Sequence, residues 1–223
     1  EKVLLALKHI HTRDTAAKAL QASGESALAF IEKGLRDEFF PKAARIKLAK
    51  VCGNIRGEKV IKVLRKYISV SDNDFRKAIL SALNECEFRV EKKAENEIQA
   101  QIKKEAEDVR RLYSAWREIE SNVEMNLISN AIRIELNHAR DRIFYLCTFL
   151  FDRKAILNAR RIILQKHEAK LPYAIETLDT ILPRDIKNIL LPLAEELNGS
   201  DACKKIGINE KVSLRSEERR VGR

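Results

Sequence analysis

The side chains able to do chemistry in this 223-residue chain are few and scattered. Its histidines are His9, His11, His138 and His167. His9 and His11, two apart, would point to different sides of a helix, which suits no shared metal ion. Glu135 and His138 have the i, i+3 spacing used on carboxylate-bridged metal helices, but the sequence lacks a second such pair. Their expected role is a surface ion pair or a capped polar contact. The cysteines Cys52, Cys86, Cys147 and Cys203 are separated by 34, 61 and 56 residues, so none forms a metal or redox pair in sequence. Cys147 sits inside the apolar run Ile143 to Phe151, where a small buried thiol is the ordinary expectation. The set as a whole reads as reducing-compartment cysteine without a disulfide framework.

A nucleophile is no easier to find. No Ser or Cys lies in a strand-to-helix elbow, and none has the glycines two residues before and two after that such an elbow uses. The carboxylate pairs Glu118 with Glu120 and Glu195 with Glu196 read as solvated helix faces, without the apolar shielding that raises a pKa for acid catalysis. Arg140, Asp141 and Arg142 stand beside the apolar run, where a charged trio would form a structural ion-pair clamp. The expectation is a chain without catalytic residues, metal ligands or a cofactor.

The elements that must position these groups follow from what is missing between them. No glycine occurs from Gly57 to Gly199, and Pro41 is followed only by Pro172, Pro183 and Pro192. Sheets need turns and turns need these residues, so a dinucleotide-binding fingerprint, a phosphate-cradling glycine loop and a β-sandwich are all excluded. With aromatics at 6% and Ala, Leu, Glu, Lys and Arg prominent, the chain reads as all-α. The densest apolar run has nine residues, half of what a membrane span requires. No signal peptide is visible, and a start at Glu1 is read as that of a fragment.

The first ninety residues read as paired short helices. DTAAKALQASG (14 to 24) has an N-cap candidate in Asp14 and a stop in Gly24, and ESALAFIEKGL (25 to 35) follows with almost no linker. After the break RDEFFP comes KAARIKLAKVCGN (42 to 54), ending at Gly53, and then EKVIKVLRKYISV (58 to 70). SDND (71 to 74) caps a third unit, FRKAILSALNE. Leu20, Ala49 and Leu80 recur at offsets of 29 and 31, an internal repeat. Two amphipathic helices cannot bury both apolar faces alone, so neighbouring pairs must stack. In the middle unit Val60, Ile61, Leu64 and Ile68 form the apolar stripe, while Lys59, Lys62, Arg65 and Lys66 make a basic face.

From residue 91 to 198 the helices lengthen within the same helical-repeat region. Ile98, Ile102, Ala106, Val109, Tyr113 and Trp116 make one seam, and Ile128, Ile132, Leu136, Ala139, Ile143, Leu146 and Leu150 make a second. Asp152 caps the next helix, Pro183 suits a first helical position, and Pro192 must kink or restart the last one. Residues 199 to 223 form a polar tail expected to be disordered. Its end, RSEERRVGR, resembles a translated adapter sequence found at the ends of assembled reading frames.

The helix pairs KAARIKLAKVCGN with EKVIKVLRKYISV, followed by FRKAILSALNE, resemble HEAT repeats. HARDRIFYLCTFLFD, AILNARRIIL and AIETLDTILPRDIKNILLPLAEEL are similar to the C-terminal part of HEAT-containing regions in bacterial multidomain proteins. In those proteins such a region lies beside a transporter-like membrane domain and often a cyclic-nucleotide-binding domain. The resemblance covers residues 14 to 198 and implies a HEAT-like α-α superhelix with bundle-like C-terminal helices. It also implies a cytoplasmic scaffold whose partner is another protein or a flanking domain of the same chain.

The formal charge is +10, with net +7 on residues 1 to 90, −1 on 91 to 151 and +4 on 152 to 223. Acids are interspersed nearly everywhere, so a solvated basic surface is the plain reading. The alternative is nucleic-acid binding with Lys59, Lys62, Arg65 and Lys66 on phosphates, although no aromatic residues for base stacking are interleaved there. An enzyme on such a scaffold, like the alkylpurine DNA glycosylases that resemble these repeats, needs an aromatic and acidic cleft. The single tryptophan, Trp116, falls instead on a core seam.

Overall fold

The computed structural model describes residues 2–119, 123–165 and 168–195, and every regular element within them is a helix. His167, Glu120, Glu196, Cys203 and the tail from 199 onward lie outside the described residues. Two compact units are formed. The first takes the described residues up to Ile102 with Asp141–Leu157, and the second takes Lys103–Arg140 with the described residues from Asn158 on.

In the first unit α1 (Lys2–Lys8) is followed by a turn that holds His9 and His11 off any helix. Thr12 Oγ1 donates to the Ala6 carbonyl at 2.6 Å and Arg13 Nε to that of Leu7 at 3.0 Å, which ties the turn down. Helix α2 (Arg13–Ser23) therefore starts after Thr12 and not at Asp14. Asp14 instead lies in the first turn, where a carboxylate complements the helix dipole, and pairs with Lys47 at 2.6 Å. That hydrogen bond and charge hold the Asp14 carboxyl below the usual carboxylate range.

Gly24 ends α2 as expected, at φ 58°, and a single 3-10 turn (Gly24–Ala27) leads into α3 (Leu28–Arg36). Helix α4 (Lys42–Ile55) runs through Gly53 and stops only at Arg56, φ 62°, and Gly57, φ 98°. Gly53 is therefore no stop. A Cβ there would lie 3.1 Å from the Ala82 Cα, so the glycine is what lets α4 approach α6 (Asn73–Glu85). Helix α5 (Glu58–Arg65) is shorter than its apolar pattern promised, because residues 66–69 form turns. Asp72 caps α6 by accepting from the N–H groups of Asp74 and Phe75 at 3.1 and 3.0 Å.

Helix α4 packs against both α2 and α6, and Leu20, Ala49 and Leu80 are all buried where the three helices meet their neighbours. Polar contacts link the α2–α3 pair to the α4–α5 pair: Asp14 with Lys47, Gln21 with Asn54 (3.0 Å), Glu25 with Lys59 (2.9 Å) and Glu32 with Lys66 (2.5 Å). Their separations are 33 or 34 residues, longer than the apolar offsets of 29 and 31. Equivalent positions and touching side chains need not coincide, since side chains lean along their helices.

The same unit receives the C-terminal half of α8 (Asn126–Leu150), whose residues 142–149 are all buried, as a stretch apolar on nearly all sides requires. Lys77 pairs with Asp141 at 2.8 Å, and Ser81 donates to the Tyr145 hydroxyl at 3.4 Å. The Val90 N–H donates to the Phe149 carbonyl at 3.3 Å, and the rings of Phe88 and Phe149 meet edge to face at 5.0 Å. Arg153 closes the Asn84 carbonyl at 2.9 Å.

The second unit holds the rest of α7 (Glu95–Ile119), the first part of α8, most of α9 (Arg153–Leu164), and α10 (Leu171–Ile181) with α11 (Arg184–Ala194). Ala106, Val109 and Tyr113 are buried on the α7 seam; Trp116 is half-buried, stacks on Tyr113 at 6.2 Å and donates from Nε1 to Ser129 Oγ at 2.9 Å. The α8 seam is buried only from Leu136 to Leu146, and Leu150 at its end is half-buried. Ile132 is half-buried, and Ile128 is 51% exposed, because a periodic stripe needs a neighbour to cover it and the first turns of α8 have less cover. Asp152 caps α9 through the Ala155 N–H at 3.0 Å. Pro183 precedes α11 instead of opening it, and α11 continues through the buried Pro192 to Ala194 without restarting.

Candidate functional site

Among the described residues, the basic face of α5 is where several candidate residues converge. Val60, Val63 and Leu64 bury the helix, with Ile61 half-buried and Ile68 in the following turns, so the apolar stripe runs through Val63 more than through Ile61. That rotation leaves Lys59, Lys62, Arg65 and Lys66 exposed. They do not act alike. Lys59 is held by Glu25 at 2.9 Å and Lys66 by Glu32 at 2.5 Å, both acids coming from the preceding helix pair. The hydrogen bond and charge of Glu25 push the Lys59 ammonium above its ordinary value.

Lys62, Arg65 and Lys66 edge a cleft of about 610 Å³, whose other walls are Ile68, Ser69, Phe88, Val90, Ile98 and Gln101, with Glu97 the one acid. The Arg65 guanidinium lies over the Phe88 ring, 5.5 Å from its centroid, and Phe88 is itself fixed by Phe149. Gln101 Oε1 is buried without a hydrogen-bond partner. Phe88 and Gln101 carry no sequence signal linking them to α5, since only folding brings the start of α7 and residues 86 to 90 beside it.

The remaining candidates separate from one another. His138 Nδ1 lies 3.8 Å from Glu135 Oε2, a partly exposed pair whose worth is small. Among the described residues no three His, Cys, Asp or Glu gather as a metal site. Cys52, Cys86 and Cys147 are free thiols. Burial pushes Cys52 up to about 12 and Cys86 up to about 11, and raises Cys147 further, so none is a ready thiolate. Arg140 and Arg142 are buried, while Asp141 pairs with Lys77; Arg140 also donates to the Leu193 carbonyl at 3.4 Å. Glu118 is exposed at the end of α7, and Glu195 follows α11.

Among the described residues no helix is long and apolar enough to cross a membrane. Comparison of the chain with protein-family models, with characterised proteins and with solved structures finds no match.

Proposed function

We propose that the chain is a non-catalytic helical-repeat scaffold that binds a protein partner or a flanking domain of the same longer chain. The observation that carries this reading is the set of polar contacts at 33 or 34 residues, which joins the α2–α3 pair to the α4–α5 pair in one register. A chain built this way gains binding surface by adding units, each contacting its neighbours. Solvent-facing apolar side chains supply contact area: Leu5, Ile10 and Phe30 are exposed and Phe39 is 97% exposed. The HEAT resemblance adds the reading of a superhelix on the cytoplasmic side of a transporter-like membrane protein.

The nucleic-acid alternative loses ground at α5, where Glu25 and Glu32 already hold two of the four cations. Photo-crosslinking in cells, from a photoreactive residue at Phe39 or Leu5, tests the scaffold reading. A discrete crosslinked partner or an intrachain crosslink to a flanking domain is expected. Crosslinks no more frequent than from exposed Lys104 would overturn it.

A further inference from the structure

We propose that the cleft between α5 and the start of α7 binds a small phosphomonoester with a hydrogen-bond-donating ring, the chemistry of a nucleoside monophosphate. This goes beyond the scaffold reading and does not depend on it. The cleft, about 610 Å³, falls within the size of small-molecule sites. Its charge is uneven in a useful way. Glu32 neutralises Lys66, and Lys93 occupies Glu91 at 2.8 Å, the acid that feels Arg65. Lys62 and Arg65 have no carboxylate within ion-pair distance among the described residues. Two such cations suit one phosphomonoester, which carries a charge of about −1.5 to −2. Glu97 on the facing wall disfavours a longer polyphosphate.

Arg65 is oriented for this task. Its guanidinium lies against the Phe88 ring, which limits its rotamers and leaves its N–H edge for an oxyanion fork. Val90 and Ile98 offer apolar wall for a planar body. The Gln101 Oε1 accepts from nothing in the protein, and its half-buried side chain lines the cleft, so on turning toward a bound ring or exocyclic N–H it would satisfy an acceptor that is otherwise costly to bury. An anionic anchor, an apolar wall and a lone acceptor thus meet in one cleft.

Isothermal titration calorimetry of the full chain with AMP, adenosine, inorganic phosphate and a 5′-phosphorylated oligonucleotide tests the proposal. AMP is expected to bind one per chain, and adenosine or phosphate about tenfold or more weakly. Lys62→Gln with Arg65→Gln should weaken AMP at least about tenfold, with the circular-dichroism spectrum unchanged. Gln101→Leu should weaken AMP and leave inorganic phosphate as it was. No binding of AMP by the folded chain, or unchanged binding in the double variant, would overturn the proposal. So would tighter binding of the oligonucleotide than of AMP, which would return the basic face to nucleic acid.

Discussion

Asp72 shows how one side chain can serve two neighbours. Burial alone would raise its carboxyl, but the Phe75 N–H and Lys42, 3.2 Å away, outweigh that and hold it below the usual carboxylate value. A lowered folded-state pKa means stability that is present above the unfolded value and lost as pH falls through the folded one. Asp72→Asn keeps a capping side chain and loses only the charge. Its melting temperature should therefore lie below that of the parent at neutral pH and converge with it as the pH falls through the lowered folded-state value. Asp72→Ala, losing the cap as well, should cost about 1 kcal/mol by urea denaturation at neutral pH. The capping role was legible in SDND, since a side-chain acceptor before a helix is a local matter. The position of Asp14 was not. Thr12 and Arg13 fix that boundary by bonding back to α1, and Asp14 then serves Lys47, 33 residues away.

At the scale of elements, Gly53 and the α8 seam carry the same lesson from opposite sides. Glycine inside a helix reads as a stop, yet α4 continues past Gly53 because the position is chosen for close approach to Ala82. Gly53→Val should destabilise the fold by about 1–3 kcal/mol in chemical denaturation, because the α6 backbone, not a pliable side chain, blocks the new atoms. A variant as stable as the parent would show that α4 and α6 can part without loss. On α8 the period placed Ile128, Ile132 and Leu136 on one stripe, but burial begins only at Leu136. Periodicity assigns residues to a face; whether another helix covers that face is decided elsewhere in the chain.

For the molecule as a whole, the partition into units is the least local property. The first unit is completed by Asp141–Leu157, which supplies Phe149 to Phe88, Thr148 to Asn84 at 3.3 Å and Asp141 to Lys77. A chain shortened to residues 1–102 should therefore bind the dye ANS and melt less cooperatively than the full chain, whereas an unchanged melt would show that the first hundred residues suffice. The sequence by itself determined the helical class, the short pairs of the first ninety residues, the caps at Asp72 and Asp152 and the basic face of α5. These follow from backbone propensity, from periodicity and from the missing glycines, all readable within a few turns of chain. Tertiary structure alone decided which cations of that face are already paired, and that Phe88 and Gln101 stand opposite Lys62 and Arg65. Charge pairing and cleft shape depend on residues tens of positions apart, and their juxtaposition is set by packing, which no local pattern encodes.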